Sequence, residues 1–277
     1  MDADRIPLLN HPLEQPTAFT PEALIEAVRA ERGLARTAVP KVCLLDFDGD
    51  ITDWLVASGK AHRWPSWACF HTPMFSIDVN GETFGMIPRT IGGPYAVLVA
   101  EQLLVSGAEV VLALTSAGRV SSSLPLPSFV IPTNAVRDEG TSYHYIAPAP
   151  FIHAMPDIVE VLTTAVRPLG RAVSQGAVWT TDAPYRETRE QLDRYAQAGV
   201  LAVEMQAASL FAFSAAKKFP VGIVAQVTNA VHDTEESFDK GSHNDEFRVV
   251  EAMCSAGAHY LKGLNNRNAC DRSPSAR

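Results

Sequence analysis

Val203-Glu204-Met205-Gln206-Ala207-Ala208-Ser209-Leu210 is the stretch on which the reading of the fold turns. An apolar run from Gly199 to Val203 ends at a carboxylate, and the residues beyond it, rich in Ala, Phe and Lys, read as a helix. The segment is therefore a strand-to-helix corner. In an open parallel sheet such corners sit at the carboxyl ends of strands, where ligands bind, so a side chain emerging there faces a crevice. Glu204 is accordingly a candidate functional carboxylate. The competing reading is that it only caps the following helix by favouring that helix's positive end.

Working outward, similar corners recur along the chain. Lys41 to Phe47 is a short apolar run without helical period, a buried strand, and it ends in Asp48-Gly49-Asp50-Ile51-Thr52-Asp53. That cluster reads as a glycine turn crowded with carboxylates; it lacks the spacing and closing Glu of a calcium loop. Phe75–Val79 and Thr83–Ile87 flank Asn80-Gly81, a strong hairpin signal. Ile91-Gly92-Gly93-Pro94 opens an all-round apolar, buried helix whose first amides face whatever lies in front. Glu109–Thr115 is a buried strand ending at Ser116-Ala117-Gly118-Arg119, where a hydroxyl and an Arg suit an anion or a sugar. Ser128–Ile131 leads into a polar, aromatic loop over residues 134–145. Helices are expected at Pro21–Arg32, Pro156–Val166, 185–197, 205–219 and Glu246–Leu261, and strands at Gly176–Thr181 and Val221–Val227. Residues 232–244 read as a mobile acidic loop. Strands alternating with helices, plus a hairpin, give an α/β fold: a three-layer sandwich around a mixed, mostly parallel sheet. The expected division is an arm and helix over 1–40, one α/β domain over 41–264 and a disordered tail over 265–277.

The 277 residues are 47% hydrophobic, enough for one large core, and carry a net charge of -8 without a long basic run. Nucleic acid and anionic membranes are thereby disfavoured as partners, and a small molecule is favoured. Four scattered cysteines without CxxC spacing read as reduced thiols; with no signal-peptide or membrane-length apolar span, a cytoplasmic protein is expected. His144 and His232 stand alone, without the company a metal ligand set needs, so no metal or cofactor is expected.

Taken in order, Gly49-Asp50, Ile91-Gly92-Gly93-Pro94, Thr115-Ser116-Ala117-Gly118, Thr181-Asp182-Ala183-Pro184-Tyr185 and Val203-Glu204-Met205-Gln206 resemble the class-one nucleoside phosphorylase superfamily. That group includes uridine phosphorylase, hexameric purine nucleoside phosphorylase and the methylthioadenosine/adenosylhomocysteine nucleosidases, and the resemblance covers roughly 42–261. It implies cleavage of a nucleoside's N-glycosidic bond and a dimer-based homo-oligomer, often a hexamer, whose neighbouring subunit completes each site. It implies further that Met205 packs on the ribose, that Glu204 and Gln206 hold its hydroxyls, and that Thr181, Asp182, Pro184 and Tyr185 wall the base. The family usually has Glu at Gln206. At Asn229 its purine-cleaving members have an Asp that protonates the leaving base, which Asn cannot do.

The family's phosphorylases bind phosphate, as co-substrate, with a Gly and several arginines. Gly49 and Gly92 are kept, and Ser116 keeps a hydroxyl, with Ala117 and Gly118 beside it. The expected arginines are replaced by Asp53 and Ala113, and the one donated by a neighbouring subunit falls near Phe70 or His71. A dianion would be poorly neutralised there. In the hydrolytic relatives a carboxylate stands at the position of Asp53 and activates water. Hydrolysis through an oxocarbenium-like sugar is therefore slightly favoured; Arg89 and Arg119 are the alternative anion ligands for a phosphorylase. A non-catalytic nucleoside-binding protein is the competing class. A dinucleotide fold is disfavoured, since Ile91-Gly92-Gly93-Pro94 is not GxGxxG. The aromatic segment Trp64, Trp67, Phe70 and Phe75 is expected between subunits.

Overall fold

The computed structural model describes residues 6–230 and 241–271. α1 (Pro21–Arg32) starts where the Thr20 hydroxyl accepts the Ala23 amide and stops at the left-handed Gly33, as its cap and N-terminal proline predict. β1 (Val42–Asp46) is buried at all five positions. Of the carboxylate cluster after it, Asp48-Gly49 does turn the chain, with Gly49 at φ 86°, but the rest is a helix, α2 (Asp50–Ala57). Its capping group lies outside it. The buried Asp46 carboxylate, at the end of β1, accepts the Gly49 amide at 3.0 Å, the Thr52 amide at 3.1 Å and the Thr52 hydroxyl at 2.7 Å.

β2 (Ala61–Arg63), β3 (Phe75–Val79) and β4 (Glu82–Pro88) form an antiparallel run whose tight turn is Asn80-Gly81, both at positive φ as that turn demands. α3 (Gly93–Val105) follows, then β5 (Val110–Arg119), β6 (Ser128–Asp138) and the short β7 (Phe151–His153). Residues 134–138, expected in a loop, extend β6, and a 3-10 turn over Thr141–His144 follows. α4 (Pro156–Val166), β8 (Ala172–Thr181), a 3-10 turn at Pro184–Arg186, α5 (Arg189–Gln197), β9 (Val200–Glu204), α6 (Ala207–Lys217) and β10 (Val221–Ala230) complete the alternation. α7 (His243–Asp271) runs past the expected end near Leu261, which corrects the tail over 265–271 from disordered to helical. No proline interrupts it, and Arg267 anchors it to Asp157 of α4 at 2.9 Å. The acidic loop's residues 232–240 and the tail's 272–277 lie outside the described residues, and the loop's expected last residues, His243 and Asn244, form the first turn of α7 instead.

The sheet order is β10-β6-β8-β9-β5-β1-β4-β3-β2, with β7 on β6. β1 pairs in parallel with β4 and β5, and β8 in parallel with β6 and β9. β10 also pairs with β5, so β5, β10, β6, β8 and β9 close into a ring at one end of the sheet. Helices cover both faces of this three-layer α/β sandwich: α3 packs on α1 and α6, and α4 on α7. The α3–α6 seam is tight. A Cβ on Gly93 would lie 2.1 Å from the Ser209 hydroxyl, so only glycine fits there.

Two details of the sheet aim side chains. The β10–β5 register shifts between Val227 and Asn229, and a bulge of this kind re-aims the residue after it. The β6–β8 register shifts between Pro132 and Asn134, where Pro132 has no amide to give the ladder. The three cysteines whose side chains are described, Cys43, Cys69 and Cys254, are free and buried. Among the described residues no helix is long and apolar enough to cross a membrane.

Candidate functional site

The carboxyl ends of β1, β5, β9 and β10 converge on a cleft of about 410 Å3. β1 brings Phe47 and Asp48, the end of β5 brings Thr115 to Gly118, the β9–α6 corner brings Val203 to Gln206, and β10 brings Asn229. The segment after β8 adds Pro184, Tyr185 and Glu187, and Ile91 closes the side next to α3.

Glu204, the residue first singled out, lines this cleft but is 4% exposed, and its carboxylate is fully engaged. One oxygen accepts the Thr180 hydroxyl at 2.5 Å; the other accepts the amides of Gln206 and Ala207 at 2.6 and 2.8 Å. The same Thr180 oxygen takes the Ala208 amide at 2.9 Å, so three amides of the first turn of α6 are satisfied by two side chains. The capping reading of Glu204 is thus met in full. Burial pushes its carboxyl up to about 7, against the pull of those hydrogen bonds.

Gln206 is oriented by its own surroundings. Its Oε1 accepts the Met205 amide at 3.2 Å and the Thr115 hydroxyl at 3.4 Å, which turns Nε2 into a donor for the cleft. An amide here offers donors where a carboxylate would offer only acceptors. Met205, half-buried between Glu204 and Gln206, supplies the apolar surface of that wall. Opposite it, the Tyr185 ring is entirely exposed.

Ser116 donates to the Asp48 carboxylate at 2.5 Å. A carboxylate of the chain itself therefore occupies the hydroxyl that an anionic ligand would use. The charged groups lining the cleft are Asp48, Glu187 and Glu204, with no Lys or Arg among them.

Of the residues expected in a site, the structure brings together Ser116, Ala117, Gly118, Pro184, Tyr185, Glu204, Met205, Gln206 and Asn229. It sets the others elsewhere. Asp53, on α2, faces solvent in an ion pair with Arg89, and neither lines the cleft. Gly49 backs that pair, since a Cβ on it would strike the Arg89 side chain. Gly92 caps α3, its neighbour Ile91 reaching the cleft instead. Arg119 sits beyond the lining, paired in register with Ala202. Thr181 is buried, and Asp182 accepts the Gly140 amide at 2.8 Å beside a neighbouring hollow that His144 lines. His144 itself packs against His11 with ring centroids 3.9 Å apart and the rings tilted by 35°. His232 lies outside the described residues.

Sequence reasoning missed Asp48, Thr115 and Glu187 as site residues. Asp48 and Thr115 each adjoin a residue that was singled out. Glu187 had no signal of its own in a run of charged residues.

The match to family models places the chain. Residues 55–261 match the model of the phosphorylase superfamily, and the chain belongs to that family. Among curated relatives it is 30% identical to the guanosine phosphorylase of Halorubrum lacusprofundi over 150 residues, 53% of this chain and 61% of that one. It is 27% identical to the uridine phosphorylase of Thermococcus kodakarensis, over 65% of this chain and 73% of the relative. A second uridine phosphorylase, from Treponema pallidum, is 27% identical over 53% of this chain and 66% of its own. The chain thus aligns with about three fifths of the guanosine phosphorylase's length.

Proposed function

We propose that this protein cleaves the N-glycosidic bond of a nucleoside or a nucleoside-like substrate, with water as the preferred nucleophile. Family membership supports the bond, and the relatives' names, guanosine and uridine phosphorylase, support a nucleoside as substrate. The observation that carries the choice of water is the make-up of the cleft: Asp48, Glu187 and Glu204 are its only charged or ionisable carboxyl groups, and among the described residues no Lys or Arg lines it to neutralise a phosphate. An ionised Asp48 stabilises a cationic sugar and repels phosphate; at an effective dielectric near 20, one charge a few ångströms away contributes on the order of 4 kcal/mol to either effect.

In this reading the sugar lies on the Met205 wall, its hydroxyls taking hydrogen bonds from Gln206, and the base lies against Pro184 and Tyr185. The glycosidic bond stretches until the sugar is oxocarbenium-like, and the nucleophile enters at the anomeric carbon on the face away from the base. Asp48, held by Ser116, orients the attacking water and accepts its proton, a role first expected of Asp53. Phosphate as co-substrate is the second reading, favoured by the relatives' names. It requires Arg89 to leave its ion pair with Asp53. Action in the cytoplasm belongs to the same proposal, supported by the free, buried thiols.

Incubation with a panel of purine and pyrimidine nucleosides, with and without phosphate, tests the reading. Free base and free sugar in phosphate-free buffer are expected, with the rate lowered at least tenfold by Asp48→Asn. Sugar 1-phosphate formed only with phosphate would replace water by phosphate; tight binding without any turnover would leave a nucleoside-binding protein.

A further inference from the structure

The three carboxylates of the cleft differ in what they are free to do. Glu204 gives both oxygens to the first turn of α6 and to Thr180. Asp48 is bonded by Ser116. Glu187 has neither a hydrogen-bond nor an ion-pair partner for its carboxyl among the described residues, yet it is half-buried and lines the cleft on the Pro184–Tyr185 side. Its backbone is fixed: its amide closes the 3-10 turn onto the Pro184 carbonyl, and the next residue, Thr188, starts α5 with a reciprocal capping box to Gln191. A carboxyl left without a partner on a rigid, partly desolvated wall is poised to exchange a proton with a ligand.

Asn229, which lines the same cleft from β10, has no acidic proton to give. Its amide makes only long contacts, at 3.4 Å, to Thr228 and the Ala230 carbonyl. A departing base must nevertheless gain a proton as it takes the bonding electron pair.

We propose that Glu187 is the general acid that protonates the departing base. This rests on the glycosidic-cleavage reading above. The C1′–N bond breaks and its electron pair goes to the base; the Glu187 carboxyl gives its proton to a ring nitrogen or exocyclic oxygen of that base. The carboxylate so formed is reprotonated from solvent, while the attacking water supplies hydroxide to the sugar and its proton to Asp48. Substrates with ordinary, poor leaving bases need this step. Substrates whose leaving group is already a stable anion do not.

The environment suits the role. Burial pushes the Glu187 carboxyl up to about 7, so the proton is present at neutral pH and transferable. The other titratable groups of the cleft are Asp48 from the β1–α2 junction, Glu204 from β9 and the Tyr185 phenol; none is cationic. Arg186 and Arg189, its chain neighbours, form no ion pair with it among the described residues. The acid works in its protonated form, so kcat/KM should fall as pH rises through about 7.

The test compares wild type, Glu187→Gln and Glu187→Asp on a natural nucleoside and on p-nitrophenyl β-D-riboside. Glu187→Gln should lose roughly 100-fold or more on the nucleoside and less than about threefold on the nitrophenyl riboside, with its alkaline limb abolished. Glu187→Asp should recover part of the rate and keep the limb. Equal losses on both substrates, no loss on either, or an unchanged pH profile in Glu187→Gln would overturn the assignment. Absence of wild-type turnover on both substrates would instead remove the glycosidic-cleavage reading itself, and this role with it.

Discussion

Glu204 shows how one side chain serves a fold and a site at once. Its three hydrogen bonds hold the β9–α6 corner, and that corner presents Met205 and Gln206 to the cleft. A role confined to the sugar would let Glu204→Gln lose activity with stability untouched; the bonding found here makes both change. The amide keeps one acceptor oxygen, so either the Thr180 hydroxyl or the two α6 amides lose their match, at a cost of about 1 to 3 kcal/mol. The pH dependence carries a clearer signature. Burial raises the folded-state carboxyl from 4.5 to about 7, so the native state holds a proton that the unfolded chain has released. Stability from this group is complete below pH 4.5, declines as pH rises toward 7 and is flat beyond; over that window it amounts to about 3 kcal/mol. Melting curves of wild type and Glu204→Gln between pH 4.5 and 8 should therefore converge as pH rises. Parallel curves would show that Glu204 does not titrate in this range.

At the scale of elements, what could be read from the sequence was what is encoded locally. The apolar runs of β1, β5, β9 and β10, the cap and proline of α1, and the Asn80-Gly81 turn are short-range signals, and each element forms where they put it. β5 nevertheless runs on through the expected turn at 116–119, and β10 through 228–230, where pairing between the two strands holds polar residues in the ladder. α2 was not legible because its cap is remote: Gly49 precedes it with no side chain to offer, and the capping carboxylate is Asp46, back on the strand. The site was legible in the same measure. The corner residues 116–118 and 204–206 reach the cleft, whereas the Asp53–Arg89 pair depends on where α2 points, and the free carboxyl of Glu187 emerges only when its lack of partners is visible. Asp46→Ala tests the remote cap. It strips the Gly49 and Thr52 amides and the Thr52 hydroxyl of their acceptor inside the protein, costing about 2 to 4 kcal/mol and lowering Tm by roughly 5 to 10 °C. Protection of the α2 amides from hydrogen exchange should fall more than that of α4 or α7. A uniform loss would mean that Asp46 supports the core rather than this helix.

For the molecule as a whole, the surface beside the cleft carries apolar side chains that this chain does not cover. The aromatic segment expected between subunits divides: Trp67 is buried in this chain's own core, its indole donating to the Thr72 carbonyl at 3.0 Å, and Trp64 packs on that core. Phe70, 42% exposed, is the member left outside. It does not stand alone, because Ile91 is 55% and Leu98 38% exposed, and the adjoining His71 ring meets Tyr95 of α3 edge-on at 6.3 Å. Large apolar side chains gathered at one rim are uncommon on a monomer and ordinary at a subunit interface. We therefore propose that a second copy of the chain covers the rim formed by residues 70–71 and the start of α3, closing the cleft where Ile91 lines it. Leu98→Glu places a charge in that interface at an exposed position, so the fold should survive while the assembly separates. Light scattering at micromolar concentration should find a dimer or larger for wild type and a monomer for Leu98→Glu, with nucleoside turnover reduced in proportion. A monomeric wild type would refute the interface, and a Leu98→Glu variant that stays assembled would move it to another face.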